Sequence, residues 1–217
     1  GSLVDSNIPY TMSGSNVSLG IATDVTGLLF RGAGSFNITD TGTNIATVAA
    51  NAGGLNFTKN SSGLLTVGSV GSFNGITSSG NVTLNATGGA IVLNASTVSG
   101  TLVVTADGAI TQSGALAVTG ASTFDAGATN DITLTNAANN FSSVGISSGK
   151  NVSLTNAGAL ALNASTVSGT LGVTAGGNIT QTGALTVNNS VELNATGNVD
   201  LNGDVLASRG IEILVCG

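Results

Sequence analysis

Hydrophobic and polar positions alternate along this chain in short runs. In NVTL (81–84) and NVSL (151–154), Val and Leu flank a single Thr or Ser. Such two-residue alternation in Val-, Ile- and Thr-rich runs, bounded by Gly, Asn and Ser, is typical of β-strands. Strong helix formers other than Ala and Leu are scarce, which disfavours helices. The pattern predicts an all-β protein.

These runs recur about every twenty residues. They begin at positions 41, 61, 81, 101 and 121, and again at 151, 170, 190 and 211. We interpret the longer interval, 121–150, as one enlarged coil with an insertion near 137–140. The phase before residue 41 does not follow from this spacing. A near-constant coil length favours a repeat architecture over an antiparallel sandwich or an aggregation-prone low-complexity chain.

A longer repeat contains the short one. Residues 93–118 and 162–187 align without a gap at an offset of 69 and differ at only five positions. We therefore divide the chain into a duplicated block, 81–150 and 151–217, and expect three coils in each 69-residue unit. The whole chain, 1–217, is predicted to be a single solenoid segment.

A twenty-residue coil with two or three strands cannot bury its inward face alone. Stacking equivalent coils roughly 4.8 Å apart builds a continuous core and pairs every backbone group with a neighbouring coil. Nine or ten coils would give a rod on the order of 45 Å long. The pairs Gly88-Gly89, Gly176-Gly177 and Asn188-Asn189 supply the tight backbone conformations that corners need. The predicted fold is a parallel β-solenoid.

Composition narrows the picture. Hydrophobic residues make up 41% of the chain but aromatic residues only 3%, which indicates a narrow aliphatic core. Charged residues make up 6%, against about 25% in typical globular proteins. A mean hydropathy of +0.42 argues against disorder. The net charge is −6 and the four basic residues are scattered, so we expect no nucleic-acid partner. No apolar run is long enough to predict a transmembrane segment.

Four phrases carry a resemblance to a known family. They are NIATVAANAGGLNFT (44–58), LLTVGSV (64–70), NVTLNATGGAIVL (81–93) and NDITLTNAANNF (130–141). From about residue 30 onward the chain resembles the repeats of filamentous-haemagglutinin-like exoproteins, which are secreted bacterial surface adhesins. The resemblance implies a right-handed parallel β-helix and export through a partner pore in the outer membrane. The Asn-Pro-rich secretion signature of these exoproteins is missing, so the resemblance implies an interior stretch of a longer shaft. Autotransporter passenger domains have a similar composition.

Catalysis and metal binding have few candidate residues. The densest acidic group is Glu192, Asp200, Asp204 and Glu212, in which the first and last carboxylates are spaced to share one face. Polysaccharide-cleaving β-helices need clustered carboxylates, but we interpret this group as a solvated surface. The chain has no His, and its only Cys, Cys216, cannot form an internal disulfide. We expect no enzymatic activity, no metal and no cofactor.

Four LNAT or LNAS runs contain the most informative polar residues, Asn85, Asn94, Asn163 and Asn194. We interpret them as corner or stacked asparagines whose amides form a ladder along the rod. The alternative is N-glycosylation, because each is followed at the second position by Ser or Thr. A regular Thr face for ice binding is disfavoured, because Thr-x-Thr occurs at different phases of the coil.

The C-terminal run is a strong strand with a single charge. Its residues Ile211, Ile213 and Val215 form a possible edge for end-to-end stacking. We therefore expect a structural shaft of a secreted bacterial adhesin or surface fibre, with more coils, glycans, host surfaces or abiotic surfaces as partners. The alternative is an extracellular filament of identical subunits. A β-helical carbohydrate-active enzyme is a third interpretation.

Overall fold

The computed structural model describes residues 27–40 and 45–216. Residues 1–26, 41–44 and 217, which the predicted solenoid also includes, lie outside the described residues. Twenty-one of the described strands form one sheet, in which every pairing is parallel, and two strands form a small antiparallel hairpin. The predicted parallel β-solenoid with coils of about twenty residues is confirmed.

The strands are β1 (Gly27–Asp40), β2 (Thr47–Lys59), β3 (Leu65–Val67), β4 (Ser69–Val70), β5 (Phe73–Asn74), β6 (Ile76–Ser78), β7 (Val82–Ala86), β8 (Ile91–Leu93), β9 (Ser96–Val98), β10 (Leu102–Ala106), β11 (Ile110–Gln112), β12 (Leu116–Asp125), β13 (Ile132–Leu134), β14 (Asn140–Gly149), β15 (Val152–Asn156), β16 (Leu160–Val167), β17 (Leu171–Ala175), β18 (Ile179–Gln181), β19 (Leu185–Val187), β20 (Val191–Ala195), β21 (Val199–Asp200), β22 (Val205–Ala207) and β23 (Ile211–Val215).

Three ladders of stacked strands form the three sides of the solenoid. Ladder A contains 35–40, 54–59, 82–86, 102–106, 122–125, 144–148, 165–167, 185–187 and 205–207. Ladder B contains 47–48, 65–67, 91–93, 110–112, 132–134, 152–156, 171–175, 191–195 and 211–215. Ladder C contains 50–52, 76–78, 96–98, 116–118 and 140–141. After β14 the third side consists of 160–162, 179–181 and 199–200.

The core is a set of continuous aliphatic columns. In ladder B, stacked inward residues from Leu65 to Val191 are nearly inaccessible to solvent; the column is Leu65, Ile91, Ile110, Ile132, Val152, Leu171 and Val191. Each such side chain contributes about 1.5–3 kcal/mol when it is buried. Aromatic rings enter the core only locally, as in the edge-to-face pair Phe124–Phe141 with centroids 6.0 Å apart. The aliphatic core predicted from composition is present.

The strand pairings divide the chain differently from the sequence spacing. Leu55 pairs with Val82, so the longest coil lies there, and it is enlarged by the hairpin β4–β5. Residues 121–150 are not one enlarged coil. Ser122 pairs with Val144 on ladder A, while Ile132 pairs with Val152 on ladder B. The interval therefore contains one full coil and one additional side, because position 151 begins a different side from position 121.

Glycines allow close stacking at the corner between ladders C and A. Gly120 donates its N–H to the carbonyl of Gly100 at 3.0 Å, and Gly100 donates to Gly80 at 3.3 Å. A Cβ on Gly80, Gly100 or Gly120 would overlap backbone atoms of the preceding coil. At another corner, Gly88 has φ +85°, a left-handed conformation that disfavours other residues. The predicted use of Gly88 as a corner residue agrees with this conformation.

Candidate functional site

Two of the four predicted asparagines take part in hydrogen bonds between coils. Asn94 follows β8 and donates from its amide nitrogen to Asn74 Oδ1 at 2.7 Å. Asn163 lies in β16, where it donates to Ser143 Oγ at 3.2 Å and accepts from Thr182 Oγ1 at 2.7 Å. Because these partners lie about one coil away, the amides join neighbouring coils along the rod.

The other two predicted asparagines lie within strands and face outward. Asn85 in β7 stacks between Thr58 and Thr105. Asn194 in β20 stacks above Thr174 and donates to Glu192 Oε1 on its own strand at 2.9 Å. The four LNAT and LNAS asparagines thus do not stack on one another. N-glycosylation at these positions stays a prediction.

Sequence reasoning missed the buried amides that close two corners. Asn139 is fully buried; its Oδ1 accepts from the N–H of Leu116 at 2.9 Å and from Gln112 Nε2 at 2.8 Å. Its Nδ2 donates to Gln112 Oε1 at 2.9 Å and to the carbonyls of Leu134 and Thr155. Gln112 recurs as Gln181 in the second copy, and that recurrence was the available signal.

Asn156 is a second buried amide that satisfies backbone groups. Its Oδ1 accepts from the N–H of Phe141 at 2.7 Å, and its Nδ2 donates to the carbonyls of Phe141 and Ala159. A buried backbone N–H or carbonyl without a partner costs about 1–3 kcal/mol. These side chains therefore supply hydrogen bonds at corners, where the chain passes from one side of the solenoid to the next.

Two charged residues also lie inside the first coils. Asp40 and Lys59 are register partners on ladder A and both are buried. The ammonium of Lys59 donates to Ser61 Oγ at 2.8 Å. Nothing in the spacing of these residues marked them as interior, because charged residues are almost never buried fully.

The acidic residues are only partly brought together. Glu192 and Glu212 are direct register partners on β20 and β23, as their spacing predicts, and both are exposed. Asp200 stacks instead beside Thr180 on another side. Asp204 has its backbone carbonyl bonded to Gln181 Nε2 at 2.9 Å. Within the described residues, no group of three His, Cys, Asp or Glu side chains could hold a metal ion.

A shallow groove of about 540 Å³ lies on the third side of the first coils. Its polar side chains are Arg31, Asn51, Thr77 and Ser79, and its remaining lining is small. Beside it, the guanidinium carbon of Arg31 lies 4.7 Å from the ring centroid of Phe73 on the hairpin. This cation–π contact attaches the hairpin to the first coil.

The predicted stacking edge is exposed at β23. Ile211, Ile213 and Val215 continue the inward columns of β20, in register with Val191, Leu193 and Ala195, which are buried. The β23 residues are nevertheless 43%, 47% and 50% exposed, because no described strand covers their other side. A strand stacked on the open side of β23 would bury these three side chains.

The repeated coils match a described family. Residues 79–147 and 149–205 match repeats of unknown function (DUF5649). The chain belongs to this family of repeats. The two DUF5649 repeats begin near the predicted block boundaries, 81 and 151, and the hairpin β4–β5 lies outside both.

No curated protein and no solved structure matches the chain. The described part of the chain contains no helix that is long and apolar enough to span a membrane. The DUF5649 match supports a β-helical repeat protein, whereas the likeness to filamentous-haemagglutinin-like adhesins stays a prediction.

Proposed function

We propose that this chain is a structural segment of the shaft of a secreted bacterial adhesin or surface fibre. The observation that carries the proposal is the uninterrupted ladder B. Each strand of this ladder, from β3 to β23, stacks in register on the ladder B strand of the preceding coil. Such a stack transmits load through many parallel backbone hydrogen bonds at once. A rigid rod is what a protein needs in order to hold another domain away from a cell surface.

The low charge and the repetition also support a structural role. The duplicated segments 93–118 and 162–187 contain a single ionisable side chain, Asp107, and Gly176 replaces it in the second copy. The five differences between the copies leave the inward aliphatic residues unchanged. The proposed role assigns no catalysis to Glu192 and Glu212, and it predicts that changing both to Gln leaves the function of the parent protein unchanged.

The test is the location of these repeats in the source cells. Antibodies raised against this chain are expected to label the outside of intact cells, and external protease is expected to remove the label. Deleting residues 81–149 from the parent gene should preserve surface labelling and shorten the fibre seen by electron microscopy. Label found only inside lysed cells would contradict the proposal.

A second candidate is a filament of identical subunits stacked end to end. The exposed inward residues of β23 favour it, because a further coil would bury them. If subunits stack there, sedimentation velocity should show association that grows with protein concentration and disappears in Ile213→Asp. Leu206→Asp is the matched control, because Leu206 is 65% exposed on the side of the last coil. A wild-type chain that stays monomeric at high concentration would exclude this candidate.

A further inference from the structure

The duplicated unit of this chain does not contain a whole number of coils. The duplicated segments are offset by 69 residues, and the first family match, 79–147, spans the same number, whereas the second match, 149–205, is shorter. Coils in this region advance by about twenty residues, as between Leu102 and Ser122 or between Ile132 and Val152. Three coils therefore use up fewer residues than one repeat contains.

The strand pairings show which part of the solenoid is formed by the residues beyond three coils. In the first repeat, β10 (TLVVTA, with Leu102–Ala106 in the strand) stacks between β7 and β12 on ladder A. Its counterpart in the second repeat, β17 (TLGVTA, with Leu171–Ala175 in the strand), stacks between β15 and β20 on ladder B. Equivalent sequences thus occupy different sides of the solenoid.

The next equivalent strands shift in the same direction. Residues 110–112 of the first repeat lie on ladder B, between β8 and β13. Their counterparts, 179–181, follow β17 and stack between β16 and β21 on the third side. The displacement is therefore a rotation of the whole repeat by one side, and it is not a local irregularity of one strand.

Both sides accept the same inward residues. Leu102, Val104 and Ala106 are buried on ladder A, and their counterparts on ladder B, Leu171, Val173 and Ala175, are buried to the same degree. The neighbours above and below them on both ladders are mainly aliphatic. An interior built from residues of similar size on every side lets one sequence stack wherever the coil phase places it.

We infer that the DUF5649 repeat is a screw unit of three and one-third coils, which turns its outward surface by one side of the rod with each repeat. Three repeats then span ten coils before the first side recurs. A flat partner lying along one side meets equivalent outward side chains only about every ten coils, on the order of 48 Å. Successive repeats in a longer array thus distribute a recognition motif around the rod, and they do not build one continuous binding face. This inference does not depend on the proposed shaft function.

Engineered disulfides on outward positions test the rotation. In a Cys216→Ser background, Thr133→Cys with Ser153→Cys joins register partners on ladder B. Thr123→Cys with Ser153→Cys joins residues that would be stacked only if 121–150 were one coil, because Thr123 pairs instead with Gly145. Adjacent parallel strands place Cα atoms about 4.8 Å apart, within the range of disulfides.

We expect nearly complete oxidation of the 133/153 pair under mild oxidant and little intramolecular oxidation of the 123/153 pair, read by mass spectrometry of tryptic or chymotryptic fragments. Thr83→Cys with Val103→Cys is the positive control, because these residues stack on ladder A under either phase. Oxidation of the control and of 123/153, with 133/153 left reduced, would overturn the inference. Oxidation of the control alone would overturn it as well.

Discussion

At the scale of single residues, the corners of this solenoid depend on buried amides. Asn139 makes hydrogen bonds to two backbone carbonyls, one backbone N–H and the amide of Gln112, at the corner between β13 and β14. The strands themselves need only alternating aliphatic residues. The positions of the fold that require a particular side chain are therefore concentrated at the corners.

We predict that Asn139→Ala lowers the free energy of unfolding by about 3 kcal/mol, because it leaves several buried polar groups without partners. Urea unfolding followed by circular dichroism measures the effect. Asn140→Ala is the control, because Asn140 is exposed next to Asn139 and should change stability by less than about 0.5 kcal/mol. Equal effects of the two substitutions would show that the buried network contributes little.

A second residue-scale prediction concerns the glycine corner. Gly100→Ala is expected to destabilise the protein by about 2 kcal/mol, since the added methyl group overlaps the backbone of Gly80 and Asn81. Gly158→Ala is the matched control, because no atom lies within 4 Å of the Cβ position at Gly158. Thermal unfolding of the two variants should separate them by several degrees. A neutral Gly100→Ala would mean that the coils can separate locally at little cost.

At the scale of elements, the hairpin β4–β5 is an insertion that the stacking does not require. It leaves the solenoid after β3 and returns at β6, where the pairing of the coils resumes. One coil later, β8 and β9 are joined by only Asn94 and Ala95. A two-residue connection is therefore enough to join ladder B to ladder C at this corner.

We predict that replacing residues 68–75 with Asn-Ala leaves a folded solenoid whose unfolding free energy changes by about 1 kcal/mol or less. The loss of the Arg31–Phe73 contact is offset by the shorter loop, whose closure costs less entropy. Far-ultraviolet circular dichroism and urea unfolding check this result. If the β-signal disappears, the hairpin is needed for the first coils to stack, and the insertion view is wrong.

At the scale of the whole molecule, the chain is a stack in which each coil contacts mainly the coils next to it. Stability in such proteins approximates a sum over repeats and their interfaces. Because the three sides accept the same sequence, removing one repeat should change which side the later coils occupy and leave their mutual contacts intact.

We predict that deleting residues 93–161, which joins the two copies at equivalent positions, yields a folded shorter solenoid. In this variant Thr83→Cys and Gly172→Cys should form a disulfide, because β17 takes the place of β10 above β7. In the full-length chain the same two cysteines lie on different ladders and should stay reduced. A deletion variant without cooperative unfolding would show that the sides are not interchangeable.

The sequence by itself determined the fold class of this protein and its coil length. Alternation in NVTL and NVSL specifies strands, and their recurrence about every twenty residues specifies stacked coils, because both signals are local and repeat many times. The same spacing placed Glu192 and Glu212 correctly as neighbours. It also grouped Ile211, Ile213 and Val215 on one C-terminal strand as a possible stacking edge.

Only the tertiary structure decided the phase of the coils. The hairpin at 69–74 reads in sequence as part of an ordinary coil, since its Val and Phe resemble strand residues. The interval 121–150 reads as an enlarged coil, whereas strand pairing makes it one coil and one further side. The three sides have equivalent aliphatic interiors, so the sequence of a strand does not show on which side it lies. That side depends on how many residues each earlier coil contains.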